Sequence, residues 1–236
     1  MDLQLAERPR PLAPPSVDQT VREKLERRLG RVHARQRLGI EADHEGRIFG
    51  QGLNFFHPEN WSRSAPIITA ALKLTGLYWQ ARRNAERIRI RRHELVLPGL
   101  PGAFDGFTIL QLSDLHVDIS PGAIDRLIEL LPTVVYDICV LTGDYRGKTF
   151  GPYDATIAGM ERVCAALQGQ VYGVLGNHDT IRMVPALEEM GVRMLLNEAE
   201  ALHRGGDRIH LVGIDDTLIG MLQRPDHAGH YRGCHL

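Results

Sequence analysis

Phe107-Thr108-Ile109-Leu110-Gln111-Leu112-Ser113-Asp114-Leu115-His116 is the stretch whose reading decides the fold: a short apolar run that ends abruptly in Ser-Asp-x-His. The same design recurs twice downstream. Val134 to Leu141 runs into Thr142-Gly143-Asp144-Tyr145, and Val171-Tyr172-Gly173-Val174-Leu175 runs into Gly176-Asn177-His178-Asp179. Each run is short, partly β-branched and bounded by polar turn residues, the pattern of a buried strand. Between them lie helical stretches, Ser120 to Leu131 with Pro121 in its first turn and Asp154 to Leu167, and a third follows from Thr180 to Met190. Val192 to Leu196 and Ile209 to Ile214 read as further short strands. The class is α/β, and such sheets bind ligands beyond the C-terminal ends of their strands.

The side chains at these three boundaries suit a metal. Asp114 and His116 are two apart, so an extended segment presents both on one face. Asp144 adds a carboxylate and Asn177 an amide oxygen. Hard oxygen donors mixed with imidazole favour Mn²⁺, Fe²⁺ or Zn²⁺ over thiolate-seeking metals. One carboxylate can bridge two cations, and paired cations clamp the attacking and leaving oxygens of a phosphoryl transfer. His178 can stand beside the metals and protonate a leaving alkoxide. Asp179 can accept the imidazole proton and fix its tautomer. Arg146 and Lys148 can hold a phosphate oxygen, or simply balance the carboxylates. Any one motif alone also fits a polar turn; three in order, each after a strand, do not.

The order Asp-x-His, Gly-Asp, Gly-Asn-His-Asp resembles the calcineurin-like metallophosphoesterase superfamily, over roughly Phe104 to Asp216. The resemblance implies an αββα sandwich carrying two divalent cations, Mn, Fe or Zn. It implies that Asp114 and His116 hold the first metal, Asp144 bridges both and Asn177 holds the second. His178 is then the acid or transition-state stabiliser, and hydroxide attacks the phosphorus of a phosphate ester. Leu211 to Asp216 resembles a later strand in a bacterial branch of membrane-peripheral and cytoplasmic enzymes. The substrate is then a phosphorylated small molecule or a lipid-linked phosphate.

The superfamily completes its metal shells with later histidines, one in a His-x-Pro context and two in Gly-His-x-His. Only 20 residues follow Asp216 here, and Arg232 stands where Gly229-His230 would need a second histidine. His227, His230 and His235 read as solvent-facing rather than as substitute ligands. The expectation is a chain truncated or altered at its C-terminus, with an incomplete second sheet and a second metal site short of ligands. Two functions follow: hydrolysis of a phosphate ester by a dinuclear centre, or a catalytically defective metallophosphoesterase fold acting as a binding or membrane-associated protein.

Apolar content of 43% and charged content of 24% are those of an ordinary water-soluble chain. The charge is divided: residues 1–100 carry about +7 and residues 101–236 about −8, as carboxylates that gather cations require. Three cysteines make no disulfide framework and fit a reducing compartment. No secretory signal opens the chain, so a cytoplasmic location is expected.

Residues 1–85 read as a basic, partly helical extension, 86–216 as the catalytic domain and 217–236 as an atypical tail. The leader holds Pro9, Pro11, Pro14 and Pro15. Val17, Val21, Leu25, Leu29 and Val32 predict one helix from Val17 to about Leu38, with Asp18 or Ser16 as cap and Arg27, Arg28, Arg31 and Arg35 opposite. Residues 39–63 read as irregular and aromatic. Residues 64–80 form a second apolar helix, too short to span a bilayer, followed by Arg82, Arg83, Arg87, Arg89, Arg91 and Arg92. It either packs on the catalytic domain or brings residues 64–92 into peripheral contact with the inner face of the membrane. Nucleic acid is disfavoured, because no aromatic residues interleave the helical arginines of 17–38. Residues 88–97 alternate in part and suggest an edge strand that starts the domain.

Overall fold

The computed structural model describes the backbone of residues 17–50 and 64–214 and the side chains of 18–42 and 68–214. The proline-rich leader, the aromatic stretch 51–63, Asp215-Asp216 and the tail 217–236 lie outside the described residues. Four parallel strands, β1 (Ile109–Leu112), β2 (Ile138–Leu141), β3 (Gln170–Gly173) and β4 (Val192–Met194), lie side by side in that order. Leu112 pairs with Leu141, and Leu141 with Gly173. The first three strands therefore end level, and their loops leave from one edge.

The pleat sorts side chains to two cores. Cys139 and Leu141 point to one face, against Ile124 and Leu127 of α5 (Pro121–Leu130), Met160 and Val163 of α6 (Asp154–Ala166), and Val184 and Leu187 of α7 (Val184–Glu189). Ile138 and Tyr172 point to the other, where Phe104, Leu195 and Leu202 cover them. Leu202 belongs to an antiparallel hairpin, β5 (Glu198–Arg204) and β6 (Asp207–Gly213). Its loop is Gly205-Gly206, with φ of 55° and 90°. A two-residue turn with both central φ positive matches the twist of the strands it joins. The result is the expected α/β sandwich with a small second sheet. β1 has one neighbour among the described strands, and its Ile109 is 48% exposed.

The N-terminal helices depart from the sequence reading. Gly30, at φ 82°, breaks the predicted single helix into α1 (Val17–Leu29) and α2 (Arg31–Gly50). Only a residue without Cβ enters that conformation freely. Residues 39–50 are helical, not irregular. Leu25, Ala34 and Leu38 join the same core as Val184 and Leu187. A fully buried leucine contributes about 2 kcal/mol, so this hairpin is part of the body. Arg28 does not face solvent: its Nη2 donates to Glu198 at 2.7 Å and its Nε to Glu188 at 2.9 Å. Asp18, expected as a cap, pairs with Arg182 at 3.2 Å.

Gly76, at φ 71°, likewise divides the second apolar helix into α3 (Ser64–Leu74) and α4 (Tyr78–Ala85). No residue of α4 is buried. The expected edge strand over 88–97 does not form; the segment runs without a ladder partner and is exposed from Arg89 onward.

Candidate metal centre

Asp114, His116 and Asp144 come together: one ligand atom from each lies within 4.8 Å of the others. The route differs from the expected extended segment. Asp114, His116 and Asp144 have φ of 53°, 39° and 55°. Left-handed backbone costs a residue with a Cβ roughly 1–2 kcal/mol. Such strain persists only where surrounding bonds over-determine it. Those bonds extend the sheet ladder past the strand ends. Asp114 donates its N–H to Gly143 O at 3.2 Å, His116 to Asp144 O at 3.0 Å and Val117 to Tyr145 O at 2.9 Å.

His116 is oriented as a ligand needs. Its Nδ1 lies 2.7 Å from the carbonyl oxygen of Arg146. A carbonyl only accepts, so Nδ1 carries the proton and Nε2 keeps its lone pair for a cation. Two carboxylates and a pre-oriented imidazole suit one divalent cation of the Mn²⁺, Fe²⁺ or Zn²⁺ kind.

The third loop leans on the second. Gly143 and Gly176 are there because the two backbones nearly touch. A Cβ on Gly143 would lie 2.4 Å from Gly176 N, and one on Gly176 would lie 2.2 Å from Asp144 Oδ1. The His178 N–H donates to Asp144 Oδ1 at 3.1 Å. The His178 ring meets the His116 ring edge-on, with centroids 5.3 Å apart. Its Nδ1 lies 3.3 Å from Thr149 Oγ1, a partner with no sequence signal. That leaves Nε2 as the nitrogen available to a bound ester. Asn177 lies on the same loop and is exposed.

Two expected roles change. Asp179 does not orient the imidazole. Its carboxylate is 5% exposed and accepts backbone N–H groups from Asp144 (2.8 Å), Tyr145 (2.9 Å), Arg146 (3.4 Å) and Gly176 (2.9 Å). Burial pushes its carboxyl up to about 6; the amides of Gly176, Tyr145 and Arg146 pull down, and Asp144 pushes up. Arg146 does not reach out to phosphate. Its guanidinium is buried and donates to the carbonyls of His178, Gly151 and Thr149. It closes the loop on itself. Lys148 is exposed, and Asp118 takes the Gly147 N–H at 2.7 Å.

Residues 107–223 match the family model described as calcineurin-like phosphoesterase. The chain belongs to the calcineurin-like metallophosphoesterase superfamily. It is 28% identical over 157 residues to the uncharacterized metallophosphoesterase YkoQ of Bacillus subtilis (strain 168), covering 62% of this chain. The match spans 57% of that relative, little more than half its length. The superfamily's Asp-x-His and Gly-Asp motifs are the two segments that build the cluster here.

Proposed function

We propose that this chain binds one divalent cation at Asp114, His116 and Asp144 and a phosphate ester beside His178, and that by itself it turns the ester over slowly. The observation that carries the reading is the cluster: three donors gathered among the described residues, one pre-oriented by Arg146 O. A bound cation supplies Lewis-acid polarisation of a phosphoryl oxygen. The chain's own groups do the rest. Asp144 Oδ1 accepts the His178 N–H, so ligand and candidate acid stand side by side. His178 Nε2 is the site from which a proton passes to a leaving oxygen. The three donors gathered among the described residues suffice for one cation.

Loading the purified chain with Mn²⁺ and desalting it should leave about one ion per chain. Asp144→Ala should remove it. Hydrolysis of p-nitrophenyl phosphate and bis(p-nitrophenyl) phosphate should stay near the metal-free background. The position of His178 against His116 favours one further reading, a dinuclear hydrolase with Asn177 in the second site. Two ions per chain with turnover lost in His178→Ala would replace the first reading by the second.

The substrate class proposed is a lipid-linked phosphate, reached from the cytoplasmic face of the membrane. Leu74 and Trp79 are 88% and 64% exposed, and Arg82, Arg83, Arg87, Arg89, Arg91 and Arg92 follow them in sequence and are also exposed. Apolar and aromatic residues beside arginines suit an anionic interface. No helix among the described residues is long and apolar enough to cross a membrane. Sedimentation with phosphatidylglycerol vesicles, lost on Trp79→Glu and absent with phosphatidylcholine, tests this.

A further inference from the structure

The metal-site loop is held from a direction that none of the three motifs announces. Glu41 lies on α2, 139 residues before Thr180. Its Oε2 accepts the Thr180 hydroxyl at 2.6 Å, and its Oε1 accepts the Ile181 N–H at 2.9 Å. Thr180 is the second residue after His178 and is buried. Arg37, one turn earlier on α2, sets its Nε 3.4 Å from Glu41 Oε1. The side chains of Arg37 and Glu41 are only 12% and 16% exposed. A carboxylate so sheltered, with a cation behind it and two donors ahead, has one preferred orientation.

We propose that Glu41 is a positioning residue for His178: the N-terminal helical hairpin clasps the far end of the Gly176–Thr180 loop and so fixes where the imidazole stands. Beside the His178 contacts with Asp144 and Thr149, three grips hold this loop. Asp179 ties it to the turn of Asp144 to Arg146. Arg146 holds the His178 carbonyl. Glu41 holds Thr180 and Ile181. The first two are internal to the sheet edge. The third comes from residues 31–50, so a segment outside the superfamily match reaches the site. Asp114 and His116 sit on the loop after β1 and have no bond to Glu41 among those described. The clasp therefore acts on His178 first, and of the cation ligands it meets only Asp144, through the single His178 N–H bond. The inference rests on the placement of His178 in the proposed site, and not on turnover.

The test reads His178 directly, in the full chain at fixed pH. Protein labelled with ¹⁵N in its imidazoles is compared with Glu41→Ala, Glu41→Gln and Thr180→Val. His178 is assigned through His178→Gln and His116 through His116→Gln. In Glu41→Ala the His178 ring signals should shift and broaden, while those of His116 stay in place. Zn²⁺ affinity should stay within twofold of wild type. Glu41→Gln should restore the His178 signals, because its carbonyl accepts from Ile181 and its amide donates to the Thr180 oxygen. Thr180→Val should give a smaller shift in the same direction, and added to Glu41→Ala it should give nothing more. Should Glu41→Ala not fold, the Thr180→Val shift alone decides. An unmoved His178 in folded variants overturns the proposal, as does an equal shift of His116 that marks general loosening. Failure of wild type to bind Zn²⁺ would refute the proposed function and leave the His178 result standing.

Discussion

The carboxylate of Asp179 accepts the backbone N–H of Asp144 at 2.8 Å, so one acidic residue of the site holds another through the main chain. Asp179 spends both oxygens on amides of two loops, and the ligand carboxylate of Asp144 inherits its position from that bond.

Asp179→Ala should therefore weaken the fold and the cation site together. Each buried N–H left without an acceptor costs about 1–3 kcal/mol. Urea unfolding should show a loss on the order of 3 kcal/mol. Calorimetric titration should show Mn²⁺ affinity reduced about tenfold or more, roughly the 1.4 kcal/mol that one weakened ligand position represents. Asp179→Asn keeps one acceptor oxygen and should fall between wild type and alanine.

Gly176→Ala should remove cation binding even though it adds only a methyl group. The new Cβ would lie 2.2 Å from Asp144 Oδ1 and 2.5 Å from Asp144 N. Neither atom can yield without displacing the ligand. Overpacking of this kind costs about 1–3 kcal/mol. Metal analysis after loading should find less than a tenth of the wild-type content, while circular dichroism keeps its shape.

Burial pushes the Cys139 thiol up to about 12 and the Cys164 thiol up to about 11. Both are thiols at pH 8, and the thiolate is the reactive form. Iodoacetamide labelling read by peptide mass spectrometry should be at least about a hundredfold slower at these residues than at a free thiol. Unfolding in urea should abolish the difference.

The anchor of α1 should fail in acid. A hydrogen bond and the charge of Arg28 hold the Glu198 carboxyl below its ordinary value of 4.5. A carboxyl lowered in the folded state stabilises above its unfolded pKa and loses that contribution as pH falls through the folded one. Thermal melts should show wild type more stable than Glu198→Gln at pH 6. The gap should close as the pH drops below 4.5.

The strands of the sheet and the three cluster residues were legible because chemistry and periodicity coincide there. Apolar runs stop where Asp114, Asp144 and His178 begin. Other features lacked such a mark. The break at Gly30 hides beneath a three-and-four spacing that runs straight through it from Leu25 to Val32. Strand β5 alternates only alanine, leucine and charged residues, too weakly to stand out. Residues 88–97 alternate in part, yet pairing needs a neighbour as well as a pattern. Arg146 and Asp179 were found by position but given the wrong work. Sequence spacing does not say whether a charged side chain turns outward to a ligand or inward to carbonyls and amides. Glu41 carries no local signal at all, because its partners are far along the chain.

The loop after β1 supplies two of the three donors, while β1 leans on a single neighbour among the described strands. An ion held between the loops after β1 and β2 would therefore rivet that strand to the rest of the described sheet. Occupancy and fraying become two readings of one equilibrium, since whatever peels Ile109 to Leu112 away also carries off Asp114 and His116. Adding the ion should slow amide exchange in β1 far more than in β3, and with the ion bound that edge should open no faster than the ion leaves.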